Sequence, residues 1–319
     1  FSTFAGNPYF IDLEALVEEG LLTSQECDSC QWGEDPRFVD YGKIYESRYP
    51  LLRKAFARFE ADDDYREFCR HEAYWMDDYC LFRALKDSQG GKPWMEWDDE
   101  LRTRDAAAIR EAKEELAEEI EFFRFIQYKF QQQWKKLKSY AHKKGIRIIG
   151  DLPIYVASDS ADAWANPRLF QFDEDHRPKA IAGCPPDAFS ATGQMWGNPL
   201  YDWEYHEKTG YAWWIERMKK SFELYDTVRV DHFRAFAEYY SIPCDAENAS
   251  AGKWVEGPGM KLFDALEKAL GPMDLIAEDL GTLDDKVFDL LDAAGYPGMK
   301  VLQFAFDSGN TNFYLPHHY

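Results

Sequence analysis

Apolar positions in the first half of the chain recur at helical spacing. Leu51, Leu52, Ala55, Phe56 and Phe59 form one stripe, and Tyr74, Trp75, Cys80, Leu81, Phe82 and Leu85 form another, so residues 35–90 read as helical. A Gly-Gly-Lys-Pro run at 90–93 breaks the pattern. It lacks the glycine spacing and the Ser/Thr after lysine that a phosphate-binding loop needs. From about Asp105 a longer pattern runs through Phe123, Ile126, Phe130, Trp134, Leu137 and Ala141. Gly145 stands where a helix C-terminus is capped.

Beyond that helix the texture changes. Four short apolar runs appear at Ile146–Gly150, Thr227–Val230, Leu275–Ala277 and Lys300–Phe304. Helical patterns at Met260–Leu270 and Leu283–Ala294 separate some of them. Strand alternating with helix, in strands too apolar to be half exposed, predicts a parallel sheet covered on both faces. Three of the four runs end on acids: Asp151, Asp231, and the pair Glu278 and Asp279. In parallel α/β architectures chemistry collects where strands stop, because a rigid sheet holds the loops there.

Composition narrows the class of partner. The chain has 319 residues with 37 Lys+Arg against 58 Asp+Glu, a formal charge of −21. Such a balance repels phosphate backbones and anionic membranes, so nucleic acid and membrane are not expected partners. Aromatic residues make up 17%, which excludes a disordered chain. No apolar run is long enough to span a bilayer. Six scattered cysteines do not make a disulfide scaffold, and Cys27-x-x-Cys30 without a second pair reads as two ordinary thiols. A cytoplasmic location is expected.

Two stretches carry candidate chemistry. In Arg229-Val230-Asp231-His232, strand alternation puts Arg229 and Asp231 on one face, where a guanidinium beside the carboxylate supports the charge a nucleophile requires. The bland alternative is a structural ion pair. In Ile276-Ala277-Glu278-Asp279, a glutamate leaving an apolar strand into a pocket keeps its proton and serves as general acid, or else caps the next turn. One ionised carboxylate and one protonated carboxyl, about 5 Å apart, equip a retaining glycosidase. The stretch Pro185–Pro199, with Asp187, Gln194, Trp196 and Asn198, reads as a loop whose amides and carboxylates suit hydroxyl groups. Six of the eleven tryptophans lie between 164 and 254; most read as core, and Trp196 as a platform for a sugar ring.

Several long motifs then make a resemblance specific. The runs GDLPIYVASDSADAWANP (150–167), CPPDAFSATGQMWGNPLYDW (184–203), VRVDHFRAF (228–236), IAEDLG (276–281) and GYPGMKVLQFAF (295–306) resemble those of the 4-α-glucanotransferases, or amylomaltases, of the α-amylase clan. FAGNP (4–8) and WMDDYCLFRALK (75–86) match as well, so the similarity covers almost the whole chain. The resemblance implies that Asp231 is the nucleophile and Glu278 the acid/base, with Arg229 and His232 beside the scissile bond. It places Asp151, Asp187, Gln194, Trp196 and Asn198 in or near the substrate groove, and Ser2 more weakly.

The fold implied is α/β, a (β/α)₈ TIM barrel with helical insertions, the main one over roughly residues 22–100. Members of the family carry a strand ahead of FAGNP and continue into a T-H-D-N segment whose aspartate is a third carboxylate. Neither segment occurs here, so a barrel incomplete at both ends is expected, with that carboxylate beyond residue 319. The activity implied is transfer of α-1,4-glucan segments between maltodextrins by double displacement, needing neither metal nor organic cofactor. An α-glucan hydrolase and a non-catalytic glucan-binding protein are the rival readings. Water and a sugar hydroxyl compete for one intermediate, whereas binding alone requires neither Asp231 nor Glu278.

Overall fold

The computed structural model describes residues 2–35, 37–187, 190–281, 283–306 and 309–318. The chain divides into two compact units. One comprises Phe1–Ile146, Ala157–Pro167 and Glu174–Arg177; the other Arg147–Val156, Arg168–Asp173 and Pro178–Tyr319.

The first unit is helical. Its helices are α1 (Leu13–Glu18), α2 (Ser24–Asp28), α3 (Tyr41–Arg58), α4 (Asp63–Ser88), α5 (Asp99–Arg102), α6 (Ala106–Glu115), α7 (Ala117–Lys143) and α8 (Ala161–Ala165). The starts are chemically marked. Thr23 and Glu26 form a reciprocal capping box on α2, and the Asp62 carboxylate accepts the Tyr65 N–H at the start of α4. The helix α4 stops at Ser88, before Gly90 and Gly91 at φ +66° and +81°, and Gly145 follows α7 at φ +73°. Helices α4 and α7 pack along buried stripes that include Met76, Phe82, Phe122, Phe123 and Ile126.

The second unit holds two sheets. The first is parallel, with spatial order β1 (Ile149–Pro153), β4 (Thr227–Asp231), β7 (Leu275–Ala277). The second is antiparallel, ordered β3 (Gln194–Pro199), β2 (Ala180–Cys184), β5 (Glu238–Pro243), β6 (Lys253–Glu256). Helices α9 (Trp203–Lys208), α10 (Ala212–Leu224), α11 (Met260–Leu270) and α12 (Asp285–Ala294) complete the unit. Leu152, Val228, Val230, Leu275 and Ala277 of the parallel sheet are buried, and α10 packs on β1 and β4. The core continues through Trp214, Phe236 and Phe263, whose rings meet edge to face. Buried Arg217 donates to the Ile154 and Pro153 carbonyls and so ties α10 to the C-terminal end of β1.

Four expectations need correction. The parallel sheet is buried on one face only: Ile149, Asp151, Arg229 and Asp231 alternate with the buried positions and remain partly or fully accessible among the described residues. The first strand begins at Ile149, three residues later than its apolar run, because Ile146 still hydrogen-bonds back to Ala141 at the end of α7. Lys300–Phe304 is not a strand; Leu302–Phe306 forms a 3₁₀ turn, an outcome that periodicity in so short a run cannot distinguish. Finally, Pro185–Pro199 is not all loop, since Gln194–Pro199 pairs with β2. That pairing needs glycine at 183, where a Cβ would lie 2.1 Å from the Gln194 carbonyl oxygen.

Candidate active site

The register of the parallel sheet builds the site. Asp151 lies opposite Arg229, and Pro153 opposite Asp231, while Val230 lies opposite Ala277. Asp231 and Glu278 therefore leave neighbouring strands one step beyond the last β4–β7 pair, at the same C-terminal edge. Strand period two then turns Asp151, Arg229 and Asp231 toward the accessible face.

Arg229 links the acids. Its Nη1 lies 2.5 Å from Asp151 Oδ1 and 3.0 Å from Asp231 Oδ1, and its Nε–H donates to Met299 Sδ at 3.1 Å. The Asp231 side chain is 45% exposed, so the carboxylate is held by a cation yet open to a ligand.

Glu278 sits in a different environment. It is 9% exposed, and its two oxygens accept the N–H groups of His232 and Leu280, each at 2.8 Å. Burial raises its pKa, the two N–H donors oppose the rise, and the negative charge of Asp231 adds to it. The carboxyl thus favours its protonated form more than an ordinary glutamate does.

His232 makes this cradle possible. Its backbone is left-handed at φ +54°, an uncommon conformation for a residue with a Cβ, and it aims the N–H at Glu278. Burial, followed by the charge of Arg234, lowers the imidazole pKa to about 4, so the ring is neutral at pH 7. Its Nε2 is buried and makes no hydrogen bond among the described residues.

The antiparallel sheet brings the aromatic component. The Trp196 ring meets the His232 ring edge to face at 4.9 Å and is 37% exposed, while Trp164 and Trp214 are buried. Trp196 Nε1–H donates to Gln194 Oε1 at 3.0 Å, which fixes the indole and leaves the Gln194 amide nitrogen available. Tyr155, just past β1, lies 6.3 Å from Trp196 and 6.5 Å from His232, ring to ring.

The remaining candidates fall elsewhere. Asn198 donates to the Val156 carbonyl at 2.7 Å and so braces the segment after β1. Asp187 accepts the Ser190 N–H at 2.8 Å. Ser2 belongs to the first unit, where its hydroxyl accepts the Phe4 N–H. There it lines a cavity of about 580 Å³ with Tyr9, Tyr45, Tyr49, Tyr79 and Arg83. Sequence reasoning missed Tyr155 and Met299; each lies within a motif named above, but neither residue type advertises chemistry.

Comparison with known proteins identifies the family. The family model described as 4-alpha-glucanotransferase matches residues 1–319. The 4-alpha-glucanotransferase of Streptococcus pneumoniae is 49% identical over 99% of this chain and 64% of its own length. That of Thermus thermophilus is 49% identical over 100% of this chain and 64% of its own. The structure of an amylomaltase from Streptococcus agalactiae in complex with acarbose superposes with a TM-score of 0.97 at 40% identity, covering 100% of this chain and 66% of that one. The chain thus spans about two thirds of the length of these relatives. With a match along its whole length and the R-V-D-H and A-E-D-L-G strand ends in register, the chain belongs to the 4-alpha-glucanotransferase family.

Proposed function

We propose that the protein acts as a retaining 4-α-glucanotransferase, with Asp231 as nucleophile and Glu278 as acid/base. One observation carries this reading: two carboxyl groups leave adjacent strands, one accessible and paired with Arg229, the other buried with a raised pKa. Neighbouring strands lie about 4.8 Å apart, close to the ~5–5.5 Å carboxyl separation of retaining enzymes.

Double displacement follows from these roles. Asp231 attacks the anomeric carbon of a bound α-1,4-glucan, and Glu278 gives its proton to the departing 4-oxygen. The glycosyl–Asp231 ester then meets an acceptor whose 4-hydroxyl loses its proton to Glu278. That oxygen attacks the anomeric carbon, Asp231 departs, and one α-1,4 bond has replaced another. Arg229 holds the charge of Asp231 between turnovers. Neutral His232 cradles Glu278 and, with Trp196, Gln194 and Asp151, offers polar and stacking contacts to the sugar beside the scissile bond. Asp187 and Asn198 extend the groove in this reading; Ser2, carried over from the family resemblance, stays a candidate substrate contact of the first unit.

The three parallel strands are read as part of a (β/α)₈ barrel, with residues 22–100 as a helical insertion. No helix among the described residues is long and apolar enough to cross a membrane; a cytoplasmic location remains part of the proposal. The test is incubation of the full-length protein with maltotriose. Transfer yields glucose and a ladder of longer maltodextrins with reducing ends almost constant, since each step conserves bonds. A steady rise in reducing ends without longer products would establish a hydrolase instead.

A further inference from the structure

Asp279 follows the acid/base directly, and the chemistry proposed above does not use it. Its carboxylate is 5% exposed and faces away from bulk solvent. Oδ1 accepts the Met299 N–H at 2.6 Å, and Oδ2 lies 3.6 Å from Lys300 Nζ. Gly298 presses against the same group so closely that a Cβ there would fall 2.4 Å from Oδ2. Residues 298–300 are therefore clamped onto the end of β7 by one buried carboxylate. The clamped segment carries one side chain toward the strand-end acids: Met299 Sδ takes the Nε–H of Arg229 at 3.1 Å.

Resting on the reading of Asp231 as nucleophile, the geometry points to Asp279 and Met299 as positioning residues that act through Arg229. A guanidinium is planar, and its donors are fixed relative to one another. Nη1 is shared between Asp151 and Asp231, and one such contact leaves the plane free to swing about it. A second contact at Nε, on the opposite edge of the fork, sets the plane. A thioether is a weak acceptor, so its value is location rather than strength. Location is what the Asp279 clamp supplies, because it fixes the Met299 backbone from which the sulfur reaches. The line Asp279–Met299–Arg229–Asp231 thus connects the two strands that carry the nucleophile and the acid/base. A displacement at its far end moves the nucleophile relative to the sugar carbon, and it reaches the substrate only through Arg229 and the Asp151 that Arg229 also holds.

The test uses the full-length protein with four substitutions: Met299→Leu, which keeps volume and removes sulfur; Asp279→Asn, which keeps an acceptor for the Met299 N–H; Asp279→Ala; and the Met299→Leu/Asp279→Ala double variant. Measured are kcat and KM for maltotriose disproportionation, the rate of Asp231 labelling by a fluorinated glucosyl donor, and thermal melts. Because misplacement of a reacting group by about 1 Å costs up to about 10²-fold, Asp279→Ala should lose about 30- to 100-fold in kcat and labelling rate, and Met299→Leu about 3- to 10-fold. KM should stay within about twofold for both, since neither Asp279 nor Met299 itself binds the substrate in this reading. Asp279→Asn should regain about tenfold over Asp279→Ala, and the double variant should be no slower than Asp279→Ala, because both residues act on one path. Unchanged kcat and labelling in Met299→Leu, or losses that simply add, would overturn the positioning role. So would an Asp279→Asn variant that melts like the parent yet is as slow as Asp279→Ala. A parent protein that neither labels at Asp231 nor disproportionates maltotriose would overturn the nucleophile assignment, and the positioning role with it.

Discussion

The two sheets of the second unit reach the same site by different means. The parallel sheet is short and apolar on its buried face, and it delivers charge: Asp151, Arg229, Asp231 and Glu278 all sit at or near its C-terminal edge. The antiparallel sheet delivers shape, with Trp196 on β3 resting against the His232 ring. They are joined within a few residues, because β4 ends at Asp231 and β5 begins at Glu238, with a 3₁₀ turn at Phe233–Phe236 between. In the first sheet a backbone ladder fixes the carboxyl groups proposed to react. In the second, pairing across a bulge fixes an indole. Bond chemistry should depend on the first and substrate affinity on the second.

The largest effects should come from the strand ends of the parallel sheet. Glu278→Gln should lose about 10²–10⁴-fold in kcat/KM with unactivated maltodextrins, and far less with a donor bearing a good leaving group, which needs little protonation. Asp231→Asn should lose more and form no covalent adduct by mass spectrometry. The coupling between the two has a sign. Glu278 works as an acid only while protonated, so a raised pKa extends activity to higher pH, and the alkaline limb of kcat/KM should follow this group. Since the charge of Asp231 is one cause of the rise, Asp231→Asn should lower the Glu278 pKa, measured by carbon NMR of the carboxyl. An unchanged titration would mean that the charge of Asp231 takes no part in the rise.

Next come two glycines, one in each sheet. A Cβ at Gly150 would fall 2.0 Å from the Tyr225 ring, and one at Gly183 would fall 2.1 Å from the Gln194 backbone carbonyl. Both alanine variants should lose about 1–3 kcal/mol in denaturant unfolding. They should differ in rescue. Tyr225→Ala should recover Gly150→Ala, because a side chain can be trimmed, whereas no trimming relieves a clash with backbone. Gly183→Ala should also raise KM, because β3 must shift and Trp196 with it. Equal rescue in both would erase the distinction drawn between the sheets.

The smallest effect should be at Trp196 itself. Trp196→Ala should raise KM for maltodextrins about 3- to 10-fold, equivalent to the ~0.5–1.5 kcal/mol of an aromatic face contact. The melting temperature should move little, because the ring is 37% exposed. A large drop in melting temperature with unchanged kinetics would make Trp196 a packing residue.

Legibility in the sequence differed between the sheets as well. The helix Met260–Leu270 and the strand Leu275–Ala277 have the limits that their apolar patterns predict, since both are cut sharply, by Gly271 and by the acids after Ala277. The antiparallel strands gave no such signal. Gly183, Gly197, Pro199 and Pro243 interrupt them, and β2 also pairs with the distant β5, so turn-forming residues in Gln194–Pro199 pointed to a loop. Cooperation among Asp151, Arg229 and Asp231 was partly legible, because alternation placed Arg229 and Asp231 on one face. The cradle of Glu278 was not, because it needs His232 in a left-handed conformation that no local pattern requires.

What the sequence by itself determined was the type of the longest helices and of the three parallel strands, together with the candidate chemistry: helical stripes, apolar strands stopping at acids, and an arginine two residues before an aspartate. These follow from neighbours along the chain, where spacing alone decides which face a side chain takes. What only the tertiary structure decided was which acids meet and in what state. Arg229 reaches Asp151 across 78 residues, Met299 across 70, and the His232 N–H reaches Glu278 across 46. Such contacts depend on the register of strands that share no local signal. The same register buries Glu278 while leaving Asp231 accessible, and in the proposed mechanism that difference in solvation separates the acid from the nucleophile.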